Sequence, residues 1–299
     1  MGHKNKKSLV RQVQENLEEK LSRGMGVSRH ECKQNHATTD KIFSINTFKN
    51  YLKSNIGFVI FCKEQYGCKT IEDCRPHVDA YLQHRMEYCS SFTLKQDASA
   101  IAKMYNEPTT NFCPTPPRLR SAVVRSRTAT GMDRHFSEKN NQKLVDFCRA
   151  TGLRRMEVAA CKGSHLVPCK TPAGEMFHGV GILVPNGKGG KTRVAPLCCP
   201  KDVAERIIQQ CKEAGDSKLF QRVHSAADIH SYRGQYCCNL YNAVKRDVDI
   251  LEGSQRYVCR GEKYGVVYDR SALRQASVAL GHGANRVEVV ANSYLYNLK

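Results

Sequence analysis

Apolar residues recur at helical spacing through the first 107 positions, and this periodicity constrains the fold more than any other feature of the chain. Leu9, Val10, Val13, Leu17 and Leu21 predict a helix over 8–22. Phe48, Tyr51, Leu52, Phe58, Val59, Phe61 and Cys62 predict a second over 47–66. A third is expected over 71–88, with Pro76 in its first turns, where proline is best tolerated, and a fourth over 93–105. Helices with one apolar stripe are stable only when they bury those stripes against one another. Residues 1–107 are therefore expected to form a small all-helical domain.

The pattern breaks at 108–135. Pro108, Pro114, Pro116 and Pro117 interrupt regular structure, and Arg118, Arg120, Arg125, Arg127 and Arg134 follow. This stretch reads as a basic linker, either a solvated spacer or a segment touching phosphate. A second domain is expected over 136–299. Ser137 is a plausible N-cap for a helix to Ala150, and another helix follows over 153–161. Strand-forming residues occupy 165–169, 177–185 and 191–197, separated by glycine-rich turns. Helices resume over 200–213, 226–246 and 269–280, and a last one includes the tail. The fold class is thus α+β, mainly helical, with a small antiparallel sheet in the second domain.

Charge narrows the partners. The 299 residues, enough for two domains, carry a formal net charge of +19, with 47 basic against 28 acidic residues. The excess is spread along the chain, as suits a surface for a polyanion such as nucleic acid. No apolar run reaches the ~18–20 residues that span a bilayer, and the N-terminus lacks the apolar stretch of a signal peptide. A cytoplasmic protein without a membrane partner is expected. The 15 cysteines are odd in number, which argues against a closed disulfide set. They read as small buried hydrophobes in a reducing compartment. The best candidates for zinc, Cys32 with His30 and His36, and Cys62, Cys68 and Cys74, do not match a structural zinc spacing.

Short motifs carry the chemistry. Near the C-terminus, Leu280-Gly281-His282 is followed by Tyr294 and Tyr296. A tyrosine that attacks a phosphodiester needs cationic donors. His230-Ser231-Tyr232-Arg233 places His230 and Arg233 on one helical face. An arginine fork matches two phosphate oxygens. Pro185-Asn186-Gly187-Lys188-Gly189-Gly190-Lys191-Thr192-Arg193 predicts a hairpin with a lysine at its tip. It is not an ATP-binding P-loop, because Pro185 replaces the required glycine and strand-forming residues follow. Thr151-Gly152-Leu153-Arg154 places an arginine at a helix start, with Glu157 three residues on to fix it. Each motif alone fits an ordinary surface; their order is far more specific.

In that order the motifs resemble the tyrosine recombinase (phage-type integrase) family. The resemblance covers most of the chain. It implies that residues 1–107 form a helical, SAM-like core-binding domain and 136–299 a catalytic domain. It assigns Arg154, Lys188, His230, Arg233 and His282 to the catalytic set, with Tyr294 as nucleophile and Tyr296 as the alternative. Tyr294 is favoured because it lies nearer the family spacing, and because Val287, Val290 and Tyr294 would share one face of a helix. Arg155 has no counterpart role and is expected at the surface or on DNA. Two departures stand out. Tyr294 lies 12 residues after His282, and Arg233 and His282 are 49 apart; both gaps exceed the usual ones. The second excess falls at 252–268, where a hairpin insertion is expected.

The implied activity is site-specific recombination of double-stranded DNA through a 3′-phosphotyrosyl link, integrating or excising a mobile element. The two arginines would stabilise charge on the phosphate, and Lys188 would protonate the leaving 5′ oxygen. His230 would help take the tyrosine proton, and His282 would donate to the phosphate. The family also implies a homotetramer on two DNA sites, with accessory DNA-bending factors as further partners. ATP is not needed and no acidic cluster offers a magnesium site, so no cofactor or metal is expected. Type IB topoisomerase-like cleavage and an inactive architectural DNA-binding protein are the alternatives.

Overall fold

A computed structural model of the chain describes residues 7–122 and 136–295. Arg125, Arg127, Arg134 and Tyr296 lie outside the described residues. The chain divides into two compact units, residues 1–119 and 120–299.

The first unit is helical: α1 (Leu9–Gly24), α2 (Arg29–Gln34), α3 (Ile45–Tyr66), α4 (Ile71–Cys74), α5 (Val78–Met86) and α6 (Ser91–Tyr105). Serine side chains cap α1, α3 and α6 by accepting from Arg11, Thr47 and Thr93 amides, which satisfies donors the helix leaves unpaired. Gly67 (φ 67°) and Asn106 (φ 58°) end α3 and α6 in the left-handed conformation. Val13, Leu17, Phe58, Val59, Leu82 and Ile101 are completely buried in one core. Each such side chain contributes about 2 kcal/mol on leaving water.

One local expectation needs correction in this unit, and one short helix had no expectation attached to it. The continuous helix over 71–88 is broken: α4 stops at Cys74, a 3₁₀ turn spans Arg75–His77, and α5 begins at Val78. Pro76 lacks an N–H and its ring clashes with a preceding carbonyl, so the regular ladder fails there. The short helix α2 carries one buried apolar side chain, Cys32, too little periodicity to announce it.

The second unit is α+β. It contains α7 (Gln142–Thr151), α8 (Arg155–Ala160), β1 (Leu166–Pro168), β2 (Phe177–Val184), β3 (Arg193–Cys198), α9 (Lys201–Ala214) and α10 (Ile229–Val244). Then come β4 (Arg256–Val258), β5 (Val267–Asp269), α11 (Arg270–Ala279) and α12 (Val287–Val289). Strands β1, β2 and β3 form an antiparallel meander, with Leu166 opposite Ile182 and Ile182 opposite Ala195. Strands β4 and β5 pair antiparallel, so the stretch 252–268 does form a hairpin. Ser137 accepts from the Asn140 amide but is not the N-cap of α7: a 3₁₀ turn over Lys139–Asn141 intervenes, and Asn141 precedes the helix.

Two apolar clusters build this unit. One joins α7, α8, the meander and α9 through Phe147, Leu153, Val158, Ile182 and Leu197. The other joins α10, α11 and the tail through Tyr236, Leu240, Leu273, Leu280, Val290 and Leu295. All fifteen cysteines are free, and most are buried. Among the described residues, no group of His, Cys, Asp or Glu is arranged to hold a metal ion. Nor is any helix among them long and apolar enough to cross a membrane.

Candidate active site

Three guanidinium groups converge where α11 ends. The last carbonyls of a helix have no partner within it, and they form the negative end of its dipole. Here arginines supply the donors. Arg193 Nε donates to the Ala279 carbonyl at 3.0 Å. Arg233 Nη2 and Arg154 Nη2 both donate to the Leu280 carbonyl, at 2.5 and 3.3 Å. Gly281 then turns the chain at φ +73°. A side chain at that position would also meet Arg193 about 3.0 Å away. The His282 amide donates back to the Ser277 carbonyl at 2.9 Å, which fixes the turn.

Arg154 is set by its own local sequence. Gly152 ends α7 in the left-handed conformation (φ 60°), and a Cβ there would lie 2.2 Å from the Tyr236 ring. Only glycine lets this turn press against α10. Arg154 is the N-cap of α8. Glu157 reaches back to accept from the Arg154 amide at 2.8 Å and from its Nη1 at 2.9 Å.

Glu157 is no surface partner. It is buried, and it also takes a bidentate pair from Arg193 at 3.0 and 2.7 Å. Burial works against its charge, but the bonds from Arg193 and Arg154 outweigh that and hold the carboxyl at about 2. Its folded value lies below its ordinary one. The stability it confers is therefore complete above about pH 4.5 and is lost as pH falls toward 2. The displacement corresponds to about 3 kcal/mol. Urea unfolding at a series of pH values is expected to show Glu157→Gln less stable by about that amount at pH 7. The gap should close as pH falls from 4.5 toward 2. A gap that stays constant across that window would place the stabilisation elsewhere.

Arg233 is completely buried on α10. Its Nη1 donates to the Gly152 carbonyl, its Nη2 to Leu280, and its Nε to the Tyr294 hydroxyl at 3.0 Å. These partners are all neutral, and among the described residues no carboxylate pairs with Arg233. Burial pushes its affinity for the proton down, although an arginine at pH 7 stays charged. Two of the three guanidinium groups, those of Arg154 and Arg193, share the one carboxylate Glu157, and the charge of Arg233 lies against Tyr294.

Tyr294 closes the arrangement. Its ring is almost fully buried, as are Val287 and Val290, and all three belong to one apolar cluster. The helix does not stay regular. After α12 the chain winds as a π-helical turn over Val290–Tyr294, and Leu295 N bonds to Val290 O at 3.0 Å. A π turn takes up an additional residue per turn, which helps absorb the long interval after His282. His282 Nε2 lies 3.4 Å from the Tyr294 hydroxyl. Burial, and then the charges of Arg233, Arg154, Arg286 and Arg193, hold the imidazole down at about 4. His282 is accordingly neutral at physiological pH.

No protein-family model and no curated protein matches the sequence. Among solved structures, the chain is similar to the XerH site-specific recombinase in a post-cleavage complex with a palindromic difH substrate. The TM-score is 0.53 at 14% identity, over 97% of this chain and 92% of that one. A pre-cleavage XerH complex with difH gives 0.47 at 13% identity over 95% and 91%, and the XerA recombinase 0.26 at 14% over 96% and 97%. Of these three, the first is close enough to show the fold. The chain has the fold of a site-specific recombinase.

On this recombinase fold the residues expected from the sequence are distributed unevenly. Arg154, Arg233, His282 and Tyr294 are brought together through the contacts above. His230 is exposed on the first turn of α10, three residues before Arg233. Lys188 is exposed at the tip between β2 and β3, where Gly189 (φ 80°) and Gly190 (φ 73°) make the turn. Strand β3, not a helix, follows that turn. Its base holds the residue that motif reading left without a role. Arg193 closes the glycine-rich motif, and a Cβ on Gly187 would lie 2.9 Å from its Nη1. The glycines thus make room for the Arg193–Glu157 pair. Arg155, expected at the surface or on DNA, is half-buried and donates to the carbonyls of His224, Ser225 and Ala227. It fixes the loop before α10, because three carbonyls on one loop match its planar fork.

Proposed function

We propose that the protein is a tyrosine-class site-specific DNA recombinase that cuts and rejoins double-stranded DNA through Tyr294. One observation carries this reading: the Tyr294 hydroxyl lies between Arg233 Nε and His282 Nε2, beside an excess of guanidinium charge. A phosphodiester entering there meets Arg154 and Arg233, whose donors stabilise charge on its non-bridging oxygens. The Tyr294 oxygen bonds to phosphorus and the bond to the 5′ oxygen breaks. Lys188 protonates that oxygen, and the tyrosine proton passes to an imidazole. His230 is expected in that role from the sequence; His282 Nε2, 3.4 Å from the hydroxyl and neutral at about 4, is also able to accept. Reattack by a 5′ hydroxyl reverses the steps and releases the tyrosine, so the phosphodiester bond energy is conserved.

In this reading four protomers act on two DNA sites, with accessory DNA-bending factors as further partners, and the natural context is a mobile genetic element in a reducing cytoplasm. The test uses the full chain and duplexes selected for binding from a random-sequence pool, each then nicked. A covalent protein–DNA adduct is expected, with the modified peptide containing Tyr294. Absence of any adduct would overturn the enzymatic reading, and relaxation of one duplex without exchange between two would favour a topoisomerase-like activity. A pH profile adds a second check. Because His282 protonates only near 4, the adduct rate is expected to show no His282-dependent inflection between pH 6 and 8. An inflection near 6.5 that disappears in His282→Asn would contradict that environment.

A further inference from the structure

The inserted hairpin reaches the tail that carries Tyr294. Its base is fixed: Asp269, completely buried at the end of β5, takes Arg246 Nε and Nη2 at 2.8 Å each. It also accepts from the Ser271 amide at 2.8 Å, and so caps α11. Its middle is packed, with Cys259 completely buried and Tyr268 edge-on to Tyr241 at 5.6 Å between ring centres. At its tip, a 3₁₀ turn over Gly261–Lys263 is tied through Glu262 to the Ser121 amide (2.9 Å) and hydroxyl (2.5 Å).

From this braced hairpin two side chains meet one backbone atom. Lys263 Nζ donates to the Leu295 carbonyl at 2.8 Å, and the Tyr268 hydroxyl donates to the same oxygen at 3.0 Å. Lys263 also donates to the Tyr268 hydroxyl and lies 4.9 Å from the centre of its ring. Cys238 on α10 approaches the carbonyl of Tyr294 at 3.6 Å. Among the described residues, the donors to these carbonyls come from elements distant in sequence.

We infer that the 252–268 hairpin is a clamp that positions the nucleophile, with Lys263 and Tyr268 as positioning residues acting through the Leu295 carbonyl. The inference rests on Tyr294 being the nucleophile. Tyr294 sits at the end of a π turn, one residue before the clamped carbonyl. A charge-assisted bond to the very next residue limits how far the phenol can swing from Arg233 and His282. Reacting atoms must be held within a fraction of an ångström, and a misplacement of ~1 Å costs about a hundredfold in rate. Neither positioning residue touches the reacting atoms.

The test compares wild type with Tyr268→Phe, Lys263→Met, the double variant and Lys263→Arg, all in the full chain. Tyr268→Phe keeps the ring against Tyr241 and removes only the hydroxyl, so it is the variant least exposed to misfolding. Two readouts are taken. Without DNA, amide hydrogen exchange of the segment 290–295 is expected to rise about tenfold or more in the double variant, with the rest of the unit unchanged. On the selected nicked duplexes, the adduct rate is expected to fall about a hundredfold while DNA affinity stays within about twofold, and Lys263→Arg is expected to recover most of the rate. A merely structural role would lower affinity and rate together. Unchanged exchange in the double variant would overturn the clamp. If wild type forms no adduct with any duplex, the reading of Tyr294 as nucleophile fails, while the exchange measurement still decides whether the hairpin restrains the tail.

Discussion

Replacing Tyr294 with phenylalanine is expected to abolish covalent capture of DNA while leaving DNA binding intact. The substitution removes one oxygen. That oxygen contacts Arg233 Nε and His282 Nε2, and the ring keeps its buried place against α10. The cost to folding should therefore be modest, about 1–3 kcal/mol, from leaving a buried donor unsatisfied. The cost to chemistry should be of another order. Losing the nucleophile of an assembled site lowers its rate by at least about 10⁴-fold. Gel-resolved adduct formation on nicked duplexes, alongside filter binding to the same duplexes, separates the two effects. Adduct formation by Tyr294→Phe at a rate near wild type would show that another residue attacks, and peptide mapping would then identify it, Tyr296 being the first to inspect.

Arg233→Lys is the second large effect. Lysine keeps the charge and loses the fork. In the native side chain each nitrogen has its own partner: Tyr294, Gly152 and Leu280. A lysine ammonium has three donors, but on a flexible stem that does not span those three positions in one plane. The carbonyls of Gly152 and Leu280 would lose charged donors inside a buried site, a destabilisation of about 1–3 kcal/mol for each group left unpaired. The adduct rate should fall by about 10²–10³, the scale for removing one preorganised donor to a developing oxyanion. Thermal unfolding distinguishes the contributions. Rates measured well below the variant's unfolding midpoint should still show the loss. A variant that regains wild-type rate once it is fully folded would assign Arg233 to architecture alone.

These two effects differ in how far each could be foreseen. The packing of Tyr294 was legible because the pattern Val287, Val290, Tyr294 depends only on neighbours along about two turns of chain. The place of Arg233 on a helix was legible too, since His230 and Arg233 are three apart. Its complete burial was not, because its contacts lie 81, 47 and 61 residues away in sequence. Glu157 was recognised as a partner for Arg154 at short range. Its second and stronger partner, Arg193, is 36 residues distant, and nothing in the local pattern around either residue announces the pairing. Pro76 shows the converse failure: the local pattern predicted one helix, and a missing N–H divided it.

The sequence by itself determined that the first part of the chain would be helical and that the second would be α+β with a small antiparallel sheet. It also determined that short cationic motifs would precede a terminal tyrosine. Those properties follow from spacing over a few residues, which sets the face of a helix or strand on which a side chain emerges. Tertiary structure alone decided that three arginines would meet the end of α11, two of them sharing one carboxylate. It also decided that the tail would enter a π turn, and that Lys263 and Tyr268 would donate to the Leu295 carbonyl. Those outcomes depend on which unpaired backbone groups and buried charges come within about 3 Å of one another, and no periodicity along the chain encodes such distances.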